Sequence, residues 1–290
     1  MRKRFQAKPV RLNGSGHLND LQISRMISKK EGRTTIMRFS RAIVRKPGQS
    51  YVNGLTTSDL GKPDYALALK QHAAYIEALK QAGLEVIVLE ADERFPDSTF
   101  VEDTAVLTEK CAVITNPGAE SRNGEIEDMK QVLPRFFDTI EYIQAPGFLD
   151  GGDVMQVENH FYVGLSTRTN EEGAKQFRDI LSKYGYEVTI VPLKEFFHLK
   201  TGIAYLGNNT LVLAGEFIDS PVFKDYKHLI VEKEAEYSTN CIHINDYVII
   251  PKGYDSTKKQ ITDAGYQVIE LEMSEFQKQD GGLSCLSLRF

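Results

Sequence analysis

One local pattern recurs along this chain: an amphipathic helix, then a glycine, then a short apolar strand. Residues 64–82 carry apolar side chains at helical spacing, Gly83 follows as a helix-ending residue, and residues 84–89 have the composition of a strand. The same pattern recurs, twice clearly and twice weakly, at residues 174–191, at 258–271, at about 125–143 and before 229–231. Such repetition indicates a repeat architecture.

Predicted β-hairpins separate these units, at residues 104–115, 154–163, 204–213 and 242–250. A doubly wound parallel sheet is the alternative, but it joins neighbouring strands by helical crossovers instead of hairpins. Strand-strand-helix-strand units closed into a ring form a propeller around a central pocket. Pairing between the N-terminal strand, residues 37–45, and a terminal strand at residues 283–288 would complete the ring.

Charge is unevenly distributed along the chain. Residues 1–36 hold nine Lys and Arg against Asp20 and Glu31, a local +7 within a net charge of −5, so residues 37–290 carry −12. We predict a basic N-terminal extension, residues 1–36, before a single catalytic domain, residues 37–290. We expect the extension to be a disordered arm, a targeting segment or sequence upstream of a natural start. The acidic body argues against nucleic acid and suits a cationic small-molecule substrate, although solubility alone would also account for it.

The cysteines and the hydropathy pattern indicate a soluble, cytoplasmic protein. Cys111, Cys241 and Cys285 are too few and too scattered for a disulfide framework, and they lack the spacing of a zinc site. No apolar run of the sequence approaches the ~18 residues needed to span a bilayer. We therefore expect no membrane partner and no bound metal, and the sequence leaves a homodimer open.

The C-terminal segment carries the best candidate for a nucleophile. Cys285 follows Gly281 and Gly282, which permit a tight turn or a close backbone approach. Leu and Ser in residues 283–288 are typical of a half-buried strand, so we expect the thiol to lie on a terminal strand. A catalytic thiol also needs a proton-transferring group, which usually has an orienting partner of its own.

His198 is the best candidate for that group among the six histidines, because it lies in a loop-like join at residues 197–202. Asp150 begins an Asp-Gly-Gly-Asp segment whose glycines permit a tight loop. Such a loop can aim a carboxylate at a histidine, although a simple turn fits the same pattern.

Other charged residues are suited to gripping a substrate. Asp97, Glu102 and Asp103 fall within seven residues beside Phe and Pro, and would hold a planar cation through paired hydrogen bonds; an N-cap cluster and a metal site are the alternatives. Arg122 and Arg168 precede predicted helices and would clamp a carboxylate, unless they are merely exposed. Together these groups suit a zwitterionic amino acid with a planar cationic side chain, which is close to arginine.

Several segments in register resemble the dimethylarginine dimethylaminohydrolase family, its bacterial members in particular. They are residues 55–58, 61–65, 93–98, 101–103, 117–122, 198–202 and 280–285. The resemblance extends from about residue 37 to residue 290. It implies a five-bladed α/β-propeller of pseudo-symmetric strand-strand-helix-strand repeats, the fold of the guanidino-group-modifying superfamily.

The resemblance also implies residue roles. Cys285 corresponds to the nucleophile, His198 to the proton-transferring histidine and Asp150 to the acid that orients it, at a position where bacterial relatives often have Glu. The implied guanidinium-binding acids are Asp97, Glu102 and Asp103. The implied clamps of the substrate carboxylate are Arg122 and Arg168. Leu55 and Gln279 correspond to the two positions that hold the α-amino group through backbone carbonyls.

The implied reaction is hydrolysis of dimethylarginine or monomethylarginine to citrulline and the methylated amine, through a covalent S-thiouronium on Cys285 and without a cofactor. Cys111 and Cys241 would be bystanders. An arginine deiminase or related amidino hydrolase acting on unmethylated arginine is the nearest alternative. A non-catalytic binding protein on the same fold is a second alternative, and would be expected to lack the thiol, the imidazole and the acids together.

Overall fold

The computed structural model describes residues 38–290, so the expectation for residues 1–36 lies outside the described residues. This part of the chain forms five three-stranded sheets with helices and turns between them. The strands are β1 Arg41–Arg45, β2 Glu85–Leu89, β3 Ala105–Leu107, β4 Ala112–Ile114, β5 Ile140–Tyr142, β6 Val154–Val157, β7 His160–Leu165, β8 Glu187–Pro192, β9 Ile203–Tyr205, β10 Thr210–Leu213, β11 Lys227–Ile230, β12 Ile242–Ile244, β13 Tyr247–Pro251, β14 Gln267–Leu271 and β15 Leu288–Arg289. The α-helices are α1 Tyr65–Gln81, α2 Ile126–Val132, α3 Glu171–Lys183, α4 Leu199–Gly202, α5 Asp255–Asp263 and α6 Ser274–Gln277.

The first helix shows how the repeated unit is built from its sequence. Asp64 caps α1 by accepting the backbone N–H of Leu67 at 2.9 Å. The buried face of the helix includes Tyr75 and Leu79, whereas Leu69, a member of the predicted apolar stripe, is exposed. Gly83 ends the unit at φ +93°, a conformation that favours glycine, and β2 follows. The predicted helix-glycine-strand pattern is confirmed here to within one residue at each end of the helix.

Each sheet combines an antiparallel pair with a parallel third strand. The orders are β15-β1-β2, β3-β4-β5, β6-β7-β8, β9-β10-β11 and β12-β13-β14. In four of them a hairpin supplies the antiparallel pair, as predicted. In the first sheet the antiparallel partner comes from the end of the chain, with Ala42 opposite Arg289 and Ile43 opposite Leu288. The two terminal strands therefore pair as predicted, although the last strand begins at Leu288 and not at residue 283.

Five clusters of buried apolar residues lie between successive sheets. Each cluster draws residues from two sheets that follow one another, and one of them joins the fifth sheet to the first. Representative members, one from each sheet, are Ile43 with Ile114, Val113 with Phe161, Tyr162 with Leu211, Val212 with Val248, and Ile249 with Val44. The hydrophobic interior of residues 38–290 is thus divided among the five pairs of successive sheets.

Two predicted elements differ from the structure. Cys285 does not lie on a strand but in a 3-10 turn, Ser284–Leu286, because Leu283 and Leu286 are spaced by three residues and both are buried. The helix expected at about 125–137 is reduced to α2 with a 3-10 turn on either side. Within the described residues, no helix is both long and apolar enough to cross a membrane.

Candidate active site

The turn that carries Cys285 is pressed against its neighbours. A Cβ on Gly281 would lie 2.3 Å from the ring of Phe100, and a Cβ on Gly282 would lie 2.4 Å from the side chain of Asn240. Side chains are excluded at both positions, as expected for a close backbone approach. The thiol is partly buried, with its Sγ 3.4 Å from the backbone N of Gly282.

Glu102 holds this turn in place. Its Oε2 accepts a hydrogen bond from Oγ of Ser284, the residue before the cysteine, at 2.8 Å. Its Oε1 lies 2.6 Å from Nζ of Lys200 and 3.2 Å from Nη2 of Arg289. Both carboxylate oxygens therefore have protein partners, and sequence analysis had not identified Ser284, Lys200 or Arg289 as members of this network.

The surroundings of Cys285 favour the neutral thiol. Burial, and then the charges of Glu102 and Asp103, raise the pKa of Cys285 to about 12, against the opposing effects of the Gly282 N–H and Lys200. The thiol is therefore protonated at neutral pH in the ligand-free protein. A cation bound beside it would lower this pKa, because positive charge stabilises the thiolate.

His198 directly precedes α4 and lies against the Asp-Gly-Gly-Asp segment. A Cβ on Gly152 would lie 3.1 Å from Cγ of His198, so this glycine permits the close approach. Nδ1 of His198 is 3.2 Å from Oδ1 of Asp153, an ion pair without the alignment of a hydrogen bond. Burial lowers the pKa of His198, but Asp153 and then other carboxylates raise it to about 9. The imidazole is therefore a cation at neutral pH.

Asp150 lies on the other side of the ring, with Oδ2 3.9 Å from Nε2 of His198 and 3.8 Å from Nη1 of Arg168. Its Oδ1 accepts the N–H of Gly118 at 2.7 Å, whereas Oδ2 has no hydrogen-bond partner within residues 38–290. Burial, and then the charge of Asp103, raise the pKa of Asp150 to about 7. This carboxyl therefore ionises less readily than an ordinary aspartate.

Asp97 and Asp103 are the two predicted guanidinium-binding acids that line the cavity. The backbone N–H of Leu55 donates to Oδ1 of Asp97 at 3.0 Å, and burial raises the pKa of this carboxyl. The N–H of Gly152 donates to Oδ1 of Asp103 at 2.8 Å. Burial opposes ionisation of Asp103, but the charges of Arg122 and His198 hold its pKa below the ordinary value. Asp103 is therefore an ionised carboxylate.

The two predicted arginine clamps differ in their surroundings. Arg122 is buried, with Nη1 2.6 Å from Oδ2 of Asp103 and Nη2 2.7 Å from Oε2 of Glu125. Arg168 is more open, and its guanidinium carbon lies 5.0 Å from the centre of the Phe197 ring. The same ring meets His198 edge to face at 4.4 Å. Sequence analysis missed Glu125 and Phe197, although Phe197 directly precedes the candidate histidine, His198.

A cavity of about 210 Å³ brings most of the predicted residues together. The predicted residues that line it are Leu55, Asp97, Asp103, Arg122, Arg168, His198, Gln279 and Cys285. Further lining comes from Thr56, Thr57, Phe100, Phe197, Asp280 and Gly281. Glu102 and Asp150 are not among the lining residues. Asp150 approaches the lining residues His198 and Arg168, whereas Glu102 bonds Ser284, the neighbour of the lining Cys285. Oε1 of Gln279 is buried and has no hydrogen-bond partner in the described part of the chain.

Three groups near the cavity have the spacing of a metal site. Asp103, Asp150 and His198 offer potential ligand atoms within 4.8 Å of one another. The chemistry fits a metal poorly, because Asp103 is already paired with the Arg122 guanidinium and His198 is itself cationic. The cluster is better suited to proton transfer and to binding an organic cation.

Comparison with known proteins agrees with this geometry. The profile of the family described as N,N dimethylarginine dimethylhydrolase, eukaryotic, matches residues 61–278. The chain is 51% identical, over 253 residues, to N(G),N(G)-dimethylarginine dimethylaminohydrolase of Pseudomonas aeruginosa, which covers 87% of this chain and 100% of that protein. The chain belongs to the dimethylarginine dimethylaminohydrolase family.

Other members of the dimethylarginine dimethylaminohydrolase family extend the comparison. The enzyme of the same name from Streptomyces coelicolor is 32% identical over 254 residues, which is 87% of this chain and 98% of that protein. Among solved structures, a mutant of the Pseudomonas aeruginosa enzyme complexed with citrulline matches with a TM-score of 0.87 and 50% identity, covering 88% of this chain and 100% of that one. A mutant enzyme in an adduct with S-methyl-L-thiocitrulline matches with a TM-score of 0.86 and 50% identity.

Proposed function

We propose that this protein hydrolyses Nω,Nω-dimethyl-L-arginine and Nω-monomethyl-L-arginine to L-citrulline and dimethylamine or methylamine. The observation that carries the proposal is one cavity lined by the Cys285 thiol, the His198 imidazolium and the carboxylates of Asp97 and Asp103. A thiol, a proton donor and a cation-binding wall are the groups that this reaction requires.

The charges of the cavity are complementary to a zwitterionic arginine derivative. Asp97 and Asp103 accept N–H bonds from the guanidinium, and the nearby charge of Glu102 adds to the negative potential. Arg168, with Arg122 behind Asp103, binds the α-carboxylate. Backbone carbonyls of Leu55 and Gln279, both lining residues, accept from the α-ammonium.

Substrate binding generates the nucleophile. The guanidinium brings positive charge to the thiol and lowers its pKa, so that the thiol gives its proton to solvent and the thiolate forms in the complex. Sγ of Cys285 then attacks the guanidinium carbon and forms a C–S bond. As the C–N bond to the methylated nitrogen breaks, His198 gives its proton to the departing amine. The product of this half-reaction is an S-thiouronium on Cys285.

The second half-reaction regenerates the protein. A water molecule occupies the space left by the amine, and neutral His198 accepts its proton as the oxygen attacks the thiouronium carbon. The C–S bond breaks, the hydroxyl proton of the intermediate passes to the departing sulfur, and the thiol and the ureido group of citrulline remain. Asp150, which lies near Nε2 of His198, adds to the acidic surroundings that favour the imidazolium.

The same proposal includes a closed five-bladed α/β-propeller for residues 38–290. Five sheets of similar construction and five apolar clusters between successive sheets, one of them between the fifth and the first, support a ring. Pairing of β15 with β1 joins the two ends of the chain in one blade. A ring places the turn with Cys285 beside residues contributed by several other blades, which accounts for a site built from segments far apart in sequence.

A comparison of three substrates tests the proposal. Citrulline release is measured with dimethylarginine, monomethylarginine and unmethylated arginine, and the expected order of kcat/KM places both methylated substrates above arginine. Preference for unmethylated arginine would assign the protein to the deiminases instead. As a control, Cys285→Ser should release no citrulline from any of the three, whereas Cys241→Ser should retain activity because Cys241 is not among the residues that line the cavity.

A further inference from the structure

We propose that Asn240 is a positioning residue that fixes the turn bearing Cys285 against the turn bearing His198. The inference rests on the proposed function, because it concerns the same thiol and the same imidazole. Asn240 follows a 3-10 turn, Lys233–Thr239, and is only 6% exposed. It is not among the residues that line the cavity, so it acts through other residues and does not touch the substrate.

The Asn240 amide holds the cysteine turn. Its Oδ1 accepts the backbone N–H of Ser284 at 2.9 Å, and its Nδ2 donates to Oγ of the same residue at 3.2 Å. Ser284 directly precedes Cys285 and begins the 3-10 turn that carries it. A Cβ on Gly282 would lie 2.4 Å from Cγ of Asn240, so the amide also packs against the backbone of that glycine. The segment that leads to the thiol is therefore fixed at two residues.

The same amide also holds the histidine turn. Nδ2 of Asn240 donates to the backbone O of Lys200 at 3.2 Å, and Lys200 lies in α4, two residues after His198. The residue before Asn240 adds a second bond to this turn, since Oγ1 of Thr239 donates to O of Thr201 at 2.8 Å. One buried side chain therefore joins the two turns that carry the reacting groups, and its oxygen and both of its N–H groups are used.

Glu102 forms a second link between the same two turns. Its carboxylate bonds Oγ of Ser284 and pairs with Nζ of Lys200. That link carries charge, so its loss would change the geometry and the electrostatics of the site together. The Asn240 amide is neutral, and its replacement leaves every charge of the site in place. Asn240 is therefore the residue at which the spacing of the two turns can be tested alone.

The spacing matters because two groups must reach the substrate at once. Sγ of Cys285 attacks the guanidinium carbon while the imidazolium of His198 gives its proton to the leaving nitrogen. A displacement of about 1 Å between reacting groups can lower a rate by about 100-fold. The Glu102 link remains when Asn240 is replaced and limits the displacement, so the expected loss in kcat is smaller than that.

The test compares the wild type with Asn240→Ala and with a matched control, Asn245→Gly. Asn245 also makes three bonds to its surroundings: it accepts the N–H of Phe39 at 3.0 Å and donates to the backbone O of Phe39 at 3.0 Å and of Ala82 at 2.8 Å. Glycine suits its φ of +54°. Asn245 is not among the cavity-lining residues, so the control removes the same number of hydrogen bonds away from the reacting groups.

Steady-state kinetics and urea denaturation are measured for all three proteins. For Asn240→Ala we expect kcat for dimethylarginine to fall ~10-fold or more with KM changed less than ~3-fold, because the residues that bind the substrate are unaltered. Both variants should have a lower urea midpoint, but Asn245→Gly should keep the wild-type kcat. Equal kcat in the two variants, whether reduced or unchanged, would overturn the positioning role.

A milder variant covers the case in which Asn240→Ala does not fold. The hydroxyl of Asn240→Ser is too short to bond both turns, so kcat should still fall ~3-fold or more. Wild-type kcat in Asn240→Ser would count against the proposal.

Labelling of Cys285 by 2-chloroacetamidine separates this inference from the proposed function. The thiol gives its proton to solvent, Sγ displaces chloride from the bound amidinium, and the new C–S bond is followed by mass spectrometry. Labelling needs no turnover, and we expect it to be ~3-fold or more slower in Asn240→Ala than in the wild type and Asn245→Gly. A wild-type protein that releases no citrulline would remove the proposed function, whereas equal labelling rates would remove only the role of Asn240.

Discussion

Arg122 and Asp103 form a buried ion pair, with Nη1 2.6 Å from Oδ2 and each side chain 6% exposed. Glu125 pairs with the same guanidinium on its other edge, at 2.7 Å. Two carboxylates around one buried cation are stable only while all three charges are present, because each is removed from water. Arg122 therefore holds Asp103 ionised at the cavity in addition to its proposed contact with the substrate carboxylate.

This relationship predicts that Arg122 and Arg168 differ in their effect on stability. Arg122→Lys breaks the fork that joins both carboxylates, and we expect the free energy of unfolding to fall by about 3 kcal/mol. Arg168→Lys should change it by less than ~1 kcal/mol, since the nearest carboxylate oxygen is 3.8 Å away. Urea denaturation measures both values.

The kinetics of the same two variants complete the test. Arg168→Lys should raise KM for dimethylarginine by ~10-fold or more, because a charge-assisted bidentate contact is lost. Equal loss of stability in the two variants would contradict the structural role of Arg122.

Gly152 sets the distance between His198 and Asp103. In Gly152→Ala the new methyl group would lie 3.1 Å from Cγ of His198 and 3.1 Å from Oδ1 of Asp103. Displacement of these two groups should lower kcat by ~10-fold or more. At Gly151 the added methyl would lie 1.9 Å from the backbone O of Glu102, so Gly151→Ala should fail to fold. Circular dichroism shows whether each variant folds, and kcat shows whether a folded variant is active. Wild-type kcat in Gly152→Ala would show that the spacing between His198 and Asp103 is unimportant.

The hydroxyl of Ser284 is predicted to stabilise the nucleophile turn. Ser284→Ala leaves Oε2 of the buried Glu102 without its 2.8 Å hydrogen bond. We expect a loss of about 1–3 kcal/mol in the free energy of unfolding, together with a lower kcat. Ser182→Ala is the matched control, because that exposed hydroxyl bonds a helix carbonyl, O of Arg178. A Ser284→Ala protein as stable and active as the control would argue against the network.

The protonation of His198 makes stability dependent on pH. Its pKa is raised from 6.5 to about 9 in the folded protein. The imidazolium therefore contributes stability that is fully present below about pH 6.5 and is lost as the pH rises through about 9. The difference in unfolding free energy between the wild type and His198→Gln should shrink by about 3 kcal/mol across that window. A constant difference from pH 6 to pH 9.5 would mean that folding does not raise the pKa of His198.

Local patterns were sufficient to predict the clearest of the repeated elements, but not the weak copy before residues 229–231, where a 3-10 turn, Gly215–Phe217, stands in place of a helix. The helix at residues 65–81 and its following strand were predictable because apolar spacing and the glycine at position 83 act within a few residues. The turn at Cys285 was mistaken for a strand, since a few residues that mix leucine and serine fit both a period of two and a period of three. Packing of Leu283 and Leu286 into the core decides between them.

Sequence analysis predicted the reactive groups of the site and missed the residues that hold those groups in place. The thiol, the imidazole and the acidic cluster have characteristic chemistry that can be recognised in isolation. Glu125, Lys200 and Asp153 act through ion pairs whose existence depends on the folded chain, and in the pair between Lys200 and Glu102 the partners are far apart in sequence. Asp153 had a visible signal, because it ends the same segment that Asp150 begins.

Trapping the covalent intermediate tests the central claim most directly. Protein quenched with acid during turnover of dimethylarginine is digested and analysed by mass spectrometry. The account predicts an S-linked adduct on the C-terminal peptide that contains Cys285, absent from Cys285→Ser and retained in Cys111→Ser and Cys241→Ser. An adduct on Cys111 or Cys241, or citrulline release by Cys285→Ser at the wild-type rate, would contradict it.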